Sequence, residues 1–269
     1  MSKSKRGLRF YLHIYKLILA QDLKSKMSYR ADFIISIIGM LFTNISNFLA
    51  FWIIFQKFPS VMGWNYYEML FLYGFSLLAL TPVQCFFDNN WNLMGQVFSG
   101  DFIKYCFRPI NLFFYYMSEV FDLKGLGQFL FGVGILSFAW YKLALPFTFI
   151  VAIKLVVSLF SASLFMIALM NVAAAINFWI IDSRGIMIFA FKFKDYAKYP
   201  ITIFQSVFQF IFTFIIPIAF IAYYPSMFFI RPNELSILTY LSPILGVLYF
   251  YLSYKLWMKG AMSYSGTGS

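Results

Sequence analysis

The sequence predicts an all-α integral membrane protein of about six transmembrane helices, with an N-terminal interfacial amphipathic helix and a short cytoplasmic helix between spans 2 and 3. Three observations carry this prediction. Of 269 residues, 62% are hydrophobic and only 12% charged, whereas soluble domains are roughly 45–50% apolar and 25% charged. The apolar residues form continuous runs about twice as long as the ~10-residue alternating segments of a membrane β-barrel. These runs match the roughly 20 residues a helix needs to cross a hydrocarbon core about 30 Å thick. Spans and connections use nearly the whole length, so 1–269 reads as one transmembrane domain: 1–30 an interfacial helix, 31–257 the bundle and 258–269 a cytoplasmic tail.

Residues 1–30 carry Lys3, Lys5, Arg6, Arg9, Lys16, Lys24, Lys26 and Arg30. Leu8, Leu12, Tyr15, Leu19 and Leu23 recur at helical spacing with Arg9, His13, Lys16 and Lys24 opposite, which describes a helix lying in the inner interface. A signal peptide is the competing reading, but the first long apolar run starts only near Ala31, has full span length, and lacks a small-residue cleavage site after it. Spans are expected at 31–55, 66–87, 116–141, 147–181, 200–224 and 237–257. In this drawing the inner side receives the N-terminal cluster, Lys104, Arg108, Arg184, Lys192, Lys194, Lys198, Lys255 and Lys259, and the outer side only Lys57, Lys142 and Arg231. The asymmetry predicts a multi-pass cell-membrane protein with both termini cytoplasmic. The run 147–181 is too long for one straight span and either projects inward or breaks near Asn171 or Asn177. Pro217 removes a helix hydrogen bond within the fifth run, and Pro225 and Pro232 follow, so the outer part of this segment kinks or turns back as a short re-entrant piece.

The net charge of +11 raises nucleic acid as a partner, but the basic residues sit in short connectors rather than one stripe, and topology accounts for them. Cys85 and Cys106 have no CxxC spacing, and His13 is the single histidine. No metal site and no catalytic constellation is expected. There is no GxxxxGK[ST] phosphate loop, nor HExxH or GxSxG, so the chain is not expected to be an enzyme or to hydrolyse ATP alone. Asp122 and Lys124 suit a proton relay, yet mutual pairing is the default at the inner end of a span. Lys154 reads as a snorkelling lysine. Gly125 with Gly132, and Gly127 with Gly134, lie seven residues apart on nearly one helix face, where another helix can approach closely. Asn44, Asn47, Asn171 and Asn177 either hold neighbouring helices together or contact a polar substrate group. Asn44-Ile45-Ser46 matches a glycosylation acceptor but falls inside a span.

The connector 88–111, DNNWNLMGQVFSGDFIKYCFRPIN, is too long for a turn. Trp91, Met94 and Val97 give one or two amphipathic turns, and Gly100 and Pro109 punctuate the ends of a second short element. Such a helix is a handle for a partner protein or an element resting on lipid. Here the chain resembles the permease subunits of bacterial type-2 ABC exporters, in a six-span branch with a separately encoded ATPase. The matching landmarks are Tyr29-Arg30-Ala31-Asp32, Gly63-Trp64, Gly100-Asp101-Phe102, Arg108-Pro109, Tyr199-Pro200, Tyr224-Pro225 and Tyr264-Ser265-Gly266, spread over essentially the whole chain. Ile103 stands where that branch commonly has an acidic residue, and Cys106 where it has leucine.

The resemblance implies a permease dimer, of this chain or a homologue, driven by two ABC ATPase subunits that bind ATP and Mg, with no cofactor in this chain. ATPase coupling would pass through Trp91, Met94, Gly100, Asp101, Phe102, Arg108 and Pro109. The substrate path would run between the two permeases, lined mainly by spans two and five, with Asn44, Asn47, Pro217, Tyr223, Tyr224 and Pro225 as path or gate residues. The apolar spans and 23% aromatic content suit a hydrophobic or amphiphilic cargo. Two other classes stay open: an ion-gradient-driven transporter or channel, for which inverted repeats and a central acid are missing, and a lipid-modifying membrane enzyme.

Overall fold

The computed structural model describes residues 7–28, 30–180 and 183–265, with the backbone alone at 30, 32 and 33. Tyr29 and Gly266 of the landmarks, and Lys3, Lys5 and Arg6 of the basic cluster, lie outside the described residues. Among those described, the chain is helical without strands: α1 Leu8–Met27, α2 Arg30–Lys57, α3 Tyr66–Phe86, α4 Leu93–Phe98, α5 Ile103–Cys106, α6 Leu112–Ser118, α7 Lys124–Lys142, α8 Phe149–Ala175, α9 Arg184–Lys192, α10 Ser206–Phe210, α11 Tyr223–Ile230 and α12 Ile237–Ser263. Four helices are long and apolar enough to cross a membrane: α2 from Ile34, α3, Phe149–Phe178 and α12. A fifth candidate, Ser206–Ile215 with Ile218–Ile230, is bent by 74°.

The helix α3 is the centre of the bundle, with 83% of its apolar window buried. A tight turn starts it. Met62 and Gly63 both have positive φ, and Val61 and Trp64 exchange backbone hydrogen bonds of 2.9 and 3.0 Å. Asn65 then caps the helix reciprocally: its side chain accepts from the Glu68 N–H, and the Glu68 carboxylate accepts from the Asn65 N–H, both at 2.9 Å. Antiparallel α7 lies against α3 from Gly125, beside Cys85, to Phe138, beside Tyr67. Small residues make this possible. A Cβ on Gly74 would sit 2.7 Å from the Leu136 backbone nitrogen, and one on Gly132 would sit 3.0 Å from Leu77. Of the two glycine pairs, Gly125 and Gly132 serve the α3 contact; Gly127 faces Met40, and Gly134 faces nothing within 4 Å.

The third apolar run does not begin at 116. It is broken into α6 and α7, because residues 119–123 turn where the Asp122 N–H donates to the Cys85 carbonyl at 3.1 Å. Asp122 then accepts from the Lys124 N–H at 2.9 Å and pairs with the Lys124 ammonium at 3.3 Å, so these two charges neutralise each other. The run 147–181 breaks at Ile176–Phe178, a 3₁₀ turn where the Asn177 amide donates to the Ala174 carbonyl. The packed stripe of α1 is Tyr11, Ile14, Tyr15, Ile18, Leu19 and Leu23, while Leu8 and Leu12 point away.

The largest departure concerns the fifth span. Arg184, Met187 and Ile188 of α9 face Trp91 and Met94 at the connector end of the bundle, whereas Thr202 accepts from Trp64 Nε1 at 2.9 Å at the opposite end. Residues 184–203 therefore traverse the bundle themselves. The run expected to span at 200–224 starts and finishes at that far end: Thr202 meets Trp64, and Arg231 binds Glu68 and the Gly63 carbonyl. In between, α10 continues through a π-helical turn, Ile211–Ile215, bends at Pro217, and returns through α11. It is a re-entrant hairpin. Hydropathy placed the span wrongly because the traversing segment carries Arg184, Lys192, Lys194, Asp195 and Lys198, while the hairpin is apolar. Lys198 accordingly does not lie at the connector end.

Candidate functional site

The connector folds as a 3₁₀ turn, Asp88–Asn92, followed by α4 and α5. Gly100 separates the two helices at φ +84°, a conformation that side chains disfavour. The apolar face of α4 turns inward. Trp91 meets Phe191 edge-on at 5.2 Å, and Met94 and Val97 are half-buried.

Phe102 is the fixed point. It is fully buried in an aromatic box made by Tyr105, Tyr116, Phe178, Trp257 and Tyr264, with ring centroids 5.1–6.0 Å away. The box joins the connector to α6, to the turn after α8 and to α12. Asn89 and Tyr116 reinforce it: the Asn89 amide donates to the Tyr116 carbonyl at 2.6 Å, and the Tyr116 hydroxyl donates to the Asn89 carbonyl at 2.8 Å. The Asn90 amide donates to Asn171 Oδ1 of α8 at 2.9 Å, both side chains being fully enclosed. The Tyr105 hydroxyl is bonded to the Glu119 carboxylate.

Around this anchor an outward surface is left. Phe98 and Phe107 are 68% and 79% exposed, and Asp101, Ile103, Lys104, Cys106, Arg108 and Pro109 are exposed beside them. Arg108 lies over the Tyr115 ring at 5.6 Å. Asp101 accepts from the Ser99 hydroxyl at 2.7 Å. Next to this surface a groove of about 500 Å³ runs between α4 and α9, lined by Trp91, Met94, Gln96, Asp101, Arg184 and Met187. Of the expected coupling residues, Trp91, Met94 and Asp101 line the groove, Arg108 and Pro109 form the adjacent surface, and Phe102 anchors from below.

The helix α1 is tied to the same region. Lys26 donates to the Phe121 carbonyl at 2.6 Å and to Asp22 at 2.7 Å, and Asp22 accepts from the Phe121 N–H at 3.1 Å. Tyr11 meets Phe114 edge-on at 4.9 Å.

The expected path and gate residues form two separate groups. Asn44 and Asn47 of α2 sit with Tyr73 and Lys198: the Tyr73 hydroxyl donates to the Asn44 carbonyl at 3.0 Å, and Lys198 donates to Asn47 Oδ1 at 2.7 Å. Pro217, Tyr223, Tyr224 and Pro225 belong to the hairpin, where Tyr223 packs on Trp64 and the Tyr224 hydroxyl lies 3.4 Å from Thr213 of the other limb. The helix α3 is enclosed by its own chain. The open helix is α2, with only 11% of its apolar window buried.

The family model of the ABC-2 family transporter proteins matches residues 41–268. The chain belongs to the ABC-2 transporter family. No curated protein and no solved structure matches it. The match covers the connector, the aromatic box and the hairpin of this ABC-2 transporter chain, whose family is a transport permease of the membrane. An ABC-type permease works with an ABC ATPase. Several residues of the ABC-2 chain escaped the sequence reading. Phe178 and Trp257 complete the Phe102 box, and Arg184 with Met187 forms the second wall of the groove; each is far in sequence from the element it completes.

Asp88, at the head of the connector, is held at about 6 by burial and then by Asp122, with Lys124 and Lys26 pulling the other way. An acid raised above its unfolded value binds more protons when folded. Its stabilising contribution is present at low pH and is lost as the pH rises from about 4 through 6. Asp88→Asn is therefore expected to stabilise the protein at pH 7.5 by on the order of 1 kcal/mol after allowing for solvent screening, with the gain reduced to about a third of that at pH 4.5. Thermal unfolding in detergent at the two pH values checks this.

Proposed function

We propose that this chain is the transmembrane permease subunit of an ABC exporter, moving a hydrophobic or amphiphilic cargo with ATP hydrolysed on separate ATPase subunits that also carry the Mg. The observation that carries the reading is the connector: an exposed apolar and charged surface set on an anchor that reaches α6, α8 and α12 at once. A push on Phe98, Phe107 or Arg108 is delivered through Phe102 and Trp257 to the ends of those helices, because a packed core transmits displacement rather than absorbing it. The α1 helix, clamped to Phe121, shares that load from the interface of the inner leaflet.

In this reading the chain crosses the membrane six times, through α2, α3, α7, α8, residues 184–203 and α12. Both termini and the connector lie in the cytoplasm of a bacterial cell, and the hairpin around Pro217 closes the outer side. Lys104, Arg108, Lys255 and Lys259 at one end against Lys57, Lys142 and Arg231 at the other support that orientation. Two permeases, identical or homologous, meet across the open face of α2 and bind two ATPase copies. Closure of the ATPases on ATP shifts the pair between inward- and outward-open packings.

Purification from the native membrane in mild detergent tests the assignment. Recovery of an ATPase with a phosphate loop is expected; its absence, in a detergent that preserves known complexes, would move a gradient-driven transporter to first place. Within the complex, Arg108→Ala is expected to reduce ATP hydrolysis at least about threefold while leaving assembly intact, as measured by activity alongside gel filtration.

A further inference from the structure

We infer that Lys198 is the recognition point for the anionic headgroup of the cargo, which makes the cargo an anionic amphiphile bearing a phosphate or carboxylate. The inference rests on the permease reading and specifies its substrate class. Lys198 stands on the segment 184–203, which traverses the bundle. Its Nζ donates to Asn47 Oδ1 at 2.7 Å and lies 6.0 Å from the rings of Phe51 and Tyr73 and 5.4 Å from that of Tyr199. Asn47 is ten residues before the end of α2 at Lys57, and Tyr73 is seven residues into α3. At 1.5 Å per residue the ammonium sits about 10–15 Å below the far ends of these helices, within the hydrocarbon depth of a bilayer.

A cation at that depth is costly unless it meets an anion. Among the described residues no carboxylate contacts it, and Asp195 acts on it only as a longer-range charge that is shared with Lys194. The nearest acid in sequence, Asp195, pairs with Lys194 at 3.1 Å, and no carboxylate forms an ion pair with Lys198. The stem does not carry the charge to the surface either, since the ammonium is fixed to Asn47. The surroundings are rich in donors. Lys198 has two N–H groups beyond the one given to Asn47, and the Asn44 Nδ2, buried beside Tyr73, has no partner. An ammonium with spare donors and aromatic walls suit an oxyanion headgroup whose tail lies along the exposed apolar face of α2. Lys198 itself is half-exposed, so a ligand reaches it.

Binding of dodecyl phosphate to the full chain in a neutral maltoside detergent, followed by native mass spectrometry, tests the site. Inorganic phosphate and dodecyltrimethylammonium serve as the free-anion and cationic-tail comparisons. Dodecyl phosphate is expected to bind at least tenfold more tightly than either, to weaken at least tenfold in Lys198→Met, and to stay within threefold in Lys198→Arg, which also controls for folding. Equal binding by Lys198→Met, or by the cationic amphiphile, overturns the site and leaves the permease reading standing. Tight binding of inorganic phosphate overturns the amphiphile assignment. In the complex with its ATPase, dodecyl phosphate is expected to stimulate hydrolysis in the wild type and not in Lys198→Met. Binding without stimulation makes the ligand a resident membrane lipid and overturns the cargo role. If no ATPase co-purifies, the permease reading fails, and the binding comparison alone decides the headgroup site.

Discussion

Arg231→Ala is expected to destabilise the chain by about 2–4 kcal/mol, one of the two largest effects of any single change. The guanidinium closes the hairpin. Its Nε and Nη2 donate to the two oxygens of Glu68 at 2.9 and 3.1 Å, Nη2 also donates to the Gly63 carbonyl at 2.6 Å, and the group stacks on Trp64 at 3.9 Å. Removing it leaves the Glu68 carboxylate, already part of the α3 cap, without its counter-ion. Arg231→Lys is expected to restore only part of the loss, because an ammonium does not make the planar two-pronged contact. A double-mutant cycle by thermal unfolding checks the mechanism: on a Glu68→Ala background, Arg231→Ala is expected to cost less than half as much.

Gly246→Val is the second. The α8 and α12 helices meet where Gly246 of α12 faces Ser161 of α8, and a Cβ there would lie 2.3 Å from the serine hydroxyl and 2.7 Å from its carbonyl oxygen. The same hydroxyl donates to the Ser242 carbonyl at 2.7 Å. An added side chain must part the helices and break that bond, so a loss of about 3 kcal/mol is expected, and about 1–2 kcal/mol for Gly246→Ala. Gly134→Ala, where nothing lies within 4 Å, is expected to be neutral or slightly stabilising. Unfolding midpoints of the three variants in one detergent separate close packing from helix propensity.

The parts of the fold that composition and hydropathy control were legible. The expected spans at 31–55, 66–87 and 237–257 match α2, α3 and α12 closely, because each is a continuous apolar run of about the right length. Gly100 and Pro109 correctly bracketed α5, since a positive φ and a missing N–H act locally. What failed to show was set by tertiary partners. The break before α7 depends on Asp122 reaching back to Cys85, and Phe102, expected to take part in coupling, is buried by Phe178 and Trp257 from distant segments. The fifth span was misplaced for a physical reason. Hydropathy ranks a segment by its own solvent preference, but residues 184–203 traverse with Lys194 paired to Asp195 and Lys198 bonded to Asn47, while the apolar hairpin enters and leaves at one end. From sequence, Pro217 signalled the bend and left open whether the chain kinks or turns back.

The most direct test of the connector as the ATPase-docking surface uses Cys106, which is exposed, while Cys85 is buried. In a Cys85→Ala background a photoactivatable crosslinker is attached to Cys106, or, in a Cys106→Ser chain, to a cysteine introduced by Phe147→Cys at the opposite end of the bundle, where Phe147 is exposed. The ATPase is expected to be captured from the Cys106 position and not from position 147. Capture from position 147 alone, or no capture from Cys106 in a complex that hydrolyses ATP, would contradict the docking of the ATPase on the connector.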